Sequence, residues 1–257
     1  MSGMEKIFEA DDARVRASGR YPNDILFGAL KMFQPADGAG PRVNMDTVLL
    51  AHYARIKPRS RVVEMGCAHG AVSIILSRRT PSARIDAFDI NRELIDMARE
   101  NARLNSAGGV SFFVSDLRGH RENFRPESYD AVVMNPPYDE PGRCRPSSDA
   151  AMASAMHGGA CTLSEVVRCA KYLLRNRGKF FLVMRAKRIA ELFSLLHEHN
   201  VRPKRFRMVH PKPGRDASVA LVEAARASGD GVMAEPPLFV YGPDGEYTEQ
   251  LLAAYRI

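Results

Sequence analysis

The sequence predicts an α/β protein whose mostly parallel sheet carries helices on both faces. Strands alternate with helical segments of about ten to fifteen residues from residue 61 onward, a pattern typical of strand–helix–strand units. Several strands are short apolar runs, such as Ala131–Met134, as expected where both faces of a sheet are covered. Polar residues or glycines follow four strands directly, at the edge where such sheets bind ligands.

The elements are placed in chain order. Residues 1 to about 20 are charged and aperiodic, and a stretch rich in glycine and proline, Gln34–Pro41, separates them from the first helix. The triplet Asn176–Gly178 predicts a C-terminal cap for the helix before it. Seven strands are predicted, at Arg61–Met65, Arg84–Asp89, Val110–Val114, Tyr129–Met134, Lys179–Met184, Arg205–His210 and Ala217–Ala224. Helices are predicted at Asp46–Ala54, Gly70–Arg79, Arg92–Asn105, Leu163–Leu174 and Lys187–His197.

Composition limits the class of protein. The chain has 257 residues, enough for one large domain, and its net charge of +7 favours a polyanionic partner, although a solvated basic surface is an equal alternative. Its four cysteines form no CxxC pair, which favours a reducing compartment and gives no zinc-ligand spacing. The N-terminus has no apolar segment and no run is long enough to span a membrane. We expect a cytoplasmic, metal-free monomer.

A loop with two glycines, Glu64–Gly70, joins the first strand to a helix. Glycines there let a ligand approach the backbone, and the start of the helix offers unpaired N–H groups. The spacing differs from the G-x-G-x-x-G of dinucleotide-binding loops. It resembles motif I of the class I S-adenosylmethionine methyltransferases, and a purely structural glycine turn is the alternative. The resemblance implies S-adenosyl-L-methionine as cofactor, in contact with Glu64, Gly66, Cys67, Ala68 and Gly70.

Acidic residues end the next two strands. Asp89 closes the second strand, where a carboxylate can accept hydrogen bonds from both ribose hydroxyls. Asp116 follows the third, and in the similar enzymes an acid there contacts the adenine amino group. For either acid taken singly, a helix N-cap is an equal alternative. Ile90 and Leu117, directly after these acids, are included in the predicted cofactor site. His69 stands where motif I more often has glycine or serine, and we predict a positional role for it.

The segment Asn135–Tyr138, which reads Asn-Pro-Pro-Tyr, follows a buried strand and is the most specific signal. The prolines hold Asn135 and Pro136 extended, so that the side-chain oxygen of one and the carbonyl of the other can accept both hydrogens of an exocyclic amine. The amine lone pair then faces the methyl donor, and catalysis needs positioning rather than a side-chain base. Tyr138 offers an aromatic face for a flipped-out base. We predict Asn135, Pro136 and Tyr138 as catalytic residues, with Asn135 also beside the cofactor.

The chain from about Asp24 onward resembles the bacterial methyltransferases that form N6-methyladenosine next to the anticodon of a valine tRNA. The resemblance includes Lys31–Gln34, Asn44–Leu50, Pro237–Tyr241 and Gly245–Thr248. It implies the class I methyltransferase, Rossmann-like fold with seven strands, and it places Gln34 and Asp46 near the cofactor. It divides the chain into a cofactor-covering arm (1–50), a methyltransferase domain (51–225) and a C-terminal extension packed on that domain (226–257). The stretch Ala155–Gly159 departs from the family pattern, which puts contacts of the target loop in doubt.

RNA, in particular tRNA, is the expected partner, because basic residues concentrate in three places. These are Arg143 and Arg145 after the Asn135–Tyr138 segment, Arg185, Lys187 and Arg188 after the fifth strand, and the run from Arg202 to Arg215. Such residues can neutralise phosphates and give salt-dependent binding. The residues predicted to bind RNA are Arg143, Arg145, Arg202, Lys204, Arg205, Arg207 and Lys212.

Other functions remain open from the residues alone. Enzymes with Asn-Pro-Pro-Tyr also methylate DNA adenine, rRNA guanine or a glutamine amide of a protein. A non-catalytic RNA- or cofactor-binding protein would be expected to lose Asn135, and a nicotinamide oxidoreductase is disfavoured by the loop spacing.

Overall fold

The computed structural model describes residues 22–36, 40–136 and 161–257. Their central feature is a twisted sheet of nine strands. These are β3 (Arg61–Met65), β4 (Arg84–Asp89), β5 (Val110–Val114), β6 (Tyr129–Met134), β7 (Leu174–Arg185), β8 (Val201–His210), β9 (Val219–Arg226), β10 (Met233–Ala234) and β11 (Leu238–Phe239). All seven predicted strands are present, and β10 and β11 were not predicted.

The sheet has the order β10-β8-β9-β7-β6-β3-β4-β5, with β11 also paired to β8. Strands β3 to β7 are parallel, and β9 is antiparallel to both β7 and β8. Strand β8 therefore runs in the same direction as β3 to β7, and all of them end at one edge, which we call the carboxyl edge. The predicted α/β class with a mostly parallel sheet is confirmed.

Helices cover both faces. They are α1 (Met45–Tyr53), α2 (Ala71–Arg79), α3 (Arg92–Leu104), α4 (His120–Asn123), α5 (Leu163–Leu173), α6 (Ile189–Glu198) and α7 (Glu249–Tyr255). Successive strand residues point to opposite faces, so Val62 packs with α1, α2, α3 and α7 while Val63 packs with α5 and α6. None of the helices in the described part of the chain is long and apolar enough to cross a membrane.

A hairpin of β1 (Asn23–Ile25) and β2 (Leu30–Met32) lies against α3. Asn101 of α3 attaches the segment after this hairpin, because its side chain accepts a hydrogen bond from Phe33 N (2.7 Å) and donates to Phe33 O (3.0 Å). The same amide donates to His69 O (2.9 Å) in the glycine loop. One buried asparagine thus connects the N-terminal segment to the loop after β3.

The predicted cap at Asn176–Gly178 is wrong. Helix α5 ends at Leu173, and β7 already begins at Leu174. Two backbone donors from the turn before β6 satisfy the last helical carbonyls, since Ser128 N donates to Leu173 O (3.0 Å) and Glu127 N to Tyr172 O (2.9 Å). Gly178 serves close packing instead, because an added Cβ would lie 2.9 Å from Arg175 O.

Candidate active site

A cavity of about 530 Å³ opens at the carboxyl edge, where β3, β4, β5 and β6 end. It brings together residues that are far apart in sequence, as expected when parallel strands end side by side. Ten of the predicted site residues line it, namely Glu64, Gly66, Cys67, Ala68, Asp89, Ile90, Asp116, Leu117, Asn135 and Pro136.

The glycine loop turns sharply beneath the cavity. Gly66 has φ +66° and Gly70 has φ +88°, a backbone region that side chains disfavour. Gly70 does not line the cavity, and a Cβ there would lie 2.9 Å from the ring of Phe112 and 3.1 Å from Ala98. The loop is held by a hydrogen bond from Cys67 N to Phe88 O (3.0 Å) at the end of the neighbouring strand. Its backbone therefore forms the base of the cavity.

Asp89 supports the same loop. Its Oδ2 accepts a hydrogen bond from Ala68 N (2.9 Å), and its Oδ1 accepts one from Asn91 N (2.9 Å). The first bond stabilises Ala68 in its left-handed conformation (φ +48°). Because a carboxylate can accept about four hydrogen bonds, each oxygen retains capacity for a ligand hydroxyl. Asp89 therefore can organise the loop and bind a ribose at the same time.

Asp116 is engaged within the protein. Its carboxylate accepts hydrogen bonds from Arg118 N (2.8 Å) and from the Arg118 guanidinium (Nε to Oδ2, 2.8 Å). The Arg118 guanidinium lowers the pKa of Asp116 below its usual value. Both residues line the cavity. A contact from Asp116 to an adenine amino group therefore competes with Arg118.

Two buried ionisable groups line the cavity. Burial raises the pKa of the Glu64 carboxyl to about 8, although hydrogen bonds from Ser73 N (2.9 Å) and Ser73 Oγ favour the charged form. Burial, together with the charge of Arg42, lowers the pKa of His69 to about 4. Neither ring nitrogen of His69 has a hydrogen-bond partner among the described residues. Both side chains are therefore uncharged near pH 7.

The segment before α1 forms one wall of the cavity. Pro41, Arg42, Asn44 and Thr47 line it, and none of them was predicted. Asn44 caps α1, because its Oδ1 accepts hydrogen bonds from Thr47 N and Thr47 Oγ1, both at 3.0 Å.

Gln34 and Asp46, the two residues suggested only by resemblance, do not line the cavity. Gln34 instead accepts a hydrogen bond from Val43 N (2.8 Å) and donates one to Asn23 Oδ1 (3.1 Å). It therefore supports the segment that lines the cavity.

Asn135 and Pro136 follow β6 and line the cavity beside Met134. The remaining predicted residue of this motif, Tyr138, lies outside the described residues, as do Arg143 and Arg145. The described residues contain no group of three or more His, Cys, Asp or Glu that could hold a metal ion.

The basic run on β8 is mostly occupied by internal contacts. Arg205 is 6% exposed, pairs with Glu223 and Glu235, and lies over the Tyr53 ring at 3.8 Å. It cannot reach an external phosphate, which corrects the prediction that it binds RNA.

Three further members of the predicted set contact the C-terminal extension. Arg202 pairs with Asp230 (3.0 Å), Lys204 donates to Gly229 O (2.6 Å), and Arg207 donates to Pro236 O (2.9 Å). The structure therefore does not support these three as a free RNA-binding surface. Lys212, just beyond the end of β8, is exposed.

Known proteins resemble this chain over most of its length. A curated protein named tRNA1(Val) (adenine(37)-N6)-methyltransferase from Photorhabdus laumondii is 26% identical over 86% of this chain and 89% of its own. One of the same name from Aeromonas hydrophila is 24% identical over 84% and 89%. The solved structure of a predicted O-methyltransferase from Agrobacterium tumefaciens has a TM-score of 0.68 at 20% identity, covering 82% of this chain and 97% of that one. These matches bear out the resemblance and the methyltransferase fold.

A family model described as the methyltransferase small domain matches residues 40–201. The matched region includes the glycine loop, Asp89, Asp116 and Asn135, and it contains every residue that lines the cavity. Because the match covers more than half of the chain, the chain belongs to the methyltransferase small domain family.

Proposed function

We propose that this protein transfers a methyl group from S-adenosylmethionine to the exocyclic N6 of an adenine in tRNA. The observation that carries the proposal is that Asn135 and Pro136 line the same cavity as Gly66 and Asp89. A target amine held by the first pair and a methyl donor held by the second would meet in one space. The two relatives named for this reaction support tRNA as the substrate.

The cavity fits the cofactor in size and in chemistry. Its volume of about 530 Å³ lies within the roughly 300–1,000 Å³ typical of small-molecule sites. Asp89 offers an acceptor on each carboxylate oxygen for a ribose hydroxyl, and the glycine loop lets a ligand approach the backbone. S-adenosylmethionine, when bound, supplies a methyl group on a positively charged sulfur.

The target end of the cavity suits an amine. The Asn135 side-chain oxygen and the Pro136 carbonyl are both acceptors, and an adenine amine has two hydrogens to donate. Binding both hydrogens turns the nitrogen lone pair out of the ring plane and toward the methyl donor. The N–CH3 bond forms as the S–CH3 bond breaks, and the methylated amine then loses one proton to water. The rate enhancement then comes from orientation and preorganised hydrogen bonds. Stacking of the base on Tyr138 stays a prediction from sequence.

Loss of the protein from its host cell tests the proposed reaction. We expect bulk tRNA from a deletion strain to lack one N6-methyladenosine that returns when the wild-type protein is restored. The Asn135→Ala variant, expressed at the same level, should not restore it. Unchanged tRNA accompanied by loss of a methylated rRNA guanine, DNA adenine or protein glutamine would contradict tRNA as the substrate.

A further inference from the structure

The segments after β7 and β8 form a second polar surface at the carboxyl edge. Strands β7 and β8 run in the same direction as β6, so Ala186–Arg188 and Pro211–Arg215 emerge on the same edge as the cavity. In sheet order, β7 and β9 separate β6 from β8. At about 4.8 Å per strand, the segment after β8 lies roughly 14 Å from the end of β6.

Exposed cations mark this surface. The side chains of Lys187, Lys212 and Arg215 are exposed, and the structure records no ion pair between them and other described residues. They differ in this respect from Arg202 and Lys204, which lie near the start of β8 and contact the Gly229–Gly231 turn. Within the basic run from Arg202 to Arg215, the positive charge available to an external polyanion is therefore at the end of β8.

A pair of exposed aromatic rings lies beside these cations. Tyr241 and Tyr247 stack with ring centroids 5.0 Å apart and an interplanar angle of 20°, yet they are 38% and 50% exposed. A hydrogen bond from Tyr241 N to Pro211 O (2.9 Å) holds the pair next to the turn that carries Lys212. Large aromatic side chains that stay exposed beside cations are typical of surfaces that bind single-stranded nucleic acid.

We propose that Lys187, Lys212 and Arg215, together with the tyrosine pair, bind unpaired RNA nucleotides that flank the methylated adenine. This inference rests on the proposed function. A distance of roughly 14 Å corresponds to about four stacked nucleotides at 3.4 Å each, so one RNA loop reaches both places. Asp244 and Glu246 are also exposed between the tyrosines, and they repel phosphate. The cations therefore contact phosphates, and the tyrosines stack against a base.

Two double variants with equal charge change test the cations. Lys212→Ala with Arg215→Ala removes two charges beside the tyrosines, whereas Lys57→Ala with Arg84→Ala removes two exposed charges at the opposite edge of the sheet. Binding of a fluorescent tRNA anticodon stem-loop is measured between 50 and 200 mM salt. We expect the first variant to bind at least tenfold more weakly, with a salt slope lower by about 1.4 to 1.8, and the second to stay within threefold.

The tyrosines are tested by Tyr247→Leu and Tyr247→Phe. We expect the leucine variant to bind the stem-loop roughly 5- to 100-fold more weakly and the phenylalanine variant to retain binding, because stacking needs only the ring. Equal loss in both charge variants, or wild-type binding by the leucine variant, would overturn the surface assignment. A wild-type protein that neither binds nor methylates tRNA would instead overturn the proposed function. Binding of a protein partner through these residues would overturn RNA as the ligand of this surface.

Discussion

Asp89 has an observed role in the glycine loop and a proposed role in cofactor binding. It organises the glycine loop through Ala68 N and Asn91 N, and we expect it to bind the cofactor ribose. Hydrogen bonds to a charged group contribute roughly 1.5–3 kcal/mol each. Asp89→Ala should therefore weaken S-adenosylmethionine and its demethylated product at least about tenfold, as measured by calorimetry. Asp96→Ala, on the exposed side of α3, is the control. Unchanged affinity in a folded Asp89→Ala protein would remove Asp89 from the cofactor site.

The neutral state of Glu64 makes stability depend on pH. Its pKa is about 8 when folded and near 4.5 when unfolded, so the folded state binds more protons between these values. The stabilisation is complete below about pH 4.5 and is lost as pH rises through 8, with a slope of at most about 1.4 kcal/mol per pH unit. His69 has a lowered pKa of about 4, so its effect on the free energy of unfolding falls at acidic pH.

Glu64→Gln tests this state, because an amide resembles a protonated carboxyl. The free energy of unfolding is measured with urea, followed by circular dichroism. Between pH 6 and 9 we expect it to fall in the wild-type protein relative to Glu64→Gln. The exposed Glu93→Gln is the matched control and should follow wild type. Parallel pH profiles for wild type and Glu64→Gln would mean that Glu64 is charged in the folded protein.

Sequence reasoning found the residues that end strands and missed those that act across the fold. Gly66 and Asn135 follow β3 and β6, Asp89 ends β4, and the topology of a parallel sheet is enough to bring them together. Asn101 contacts Phe33 and His69 from the last turn of α3, at sequence separations of 68 and 32. Its polar side chain in an amphipathic helix carries no local signal of that contact.

At the scale of elements, two predicted boundaries were wrong, at the end of α5 and at the start of β8. Asn176–Gly178 resembles a helix cap, but backbone donors from the turn before β6 already end α5. The predicted strand began at Arg205, yet β8 begins at Val201 and includes Pro203. A register shift between Pro203 and Arg205 accommodates the proline. Long-range pairing decides both cases, and local sequence does not contain it.

The correction at Arg205 predicts a stability defect rather than a binding defect. Arg205 joins β8 to β9 through Glu223, to the C-terminal extension through Glu235, and to α1 through Tyr53 O (2.8 Å). Removing one partner of a buried ion pair typically costs about 3–5 kcal/mol when the other charge is left without a partner. Glu223 keeps Lys179 (2.7 Å) and Glu235 keeps Arg55 (3.1 Å), so Arg205→Ala should lose stability at the low end of that range, about 3 kcal/mol, in urea unfolding.

Lys212→Ala is the control for this experiment, because Lys212 is exposed and lies just past the same strand. Its stability should change by less than about 0.5 kcal/mol. A stable Arg205→Ala protein with weakened RNA binding would contradict the correction and restore the residue to the RNA-binding set.

At the scale of the whole molecule, net charge and its location have different consequences. The sequence predicted a basic partner-binding surface from a net charge of +7 and a dense run on β8. Arg202, Lys204 and Arg207 contact the C-terminal extension. The number of charges in a segment therefore does not measure the charge available to RNA. The fold class was predictable because strand and helix periodicity is local, whereas charge pairing depends on the extension folding back.

The central claim is that one cavity holds both a methyl donor and an adenine amine. The most direct measurement incubates purified protein with S-adenosylmethionine and an unmodified valine tRNA transcript, and then identifies the methylated nucleoside by mass spectrometry. We predict N6-methyladenosine from wild type, and turnover lower by about 100- to 1,000-fold in Asn135→Ala with cofactor affinity unchanged, because one preorganised acceptor is lost. Any other methylated nucleoside, or Asn135→Ala activity within threefold of wild type, would contradict this account.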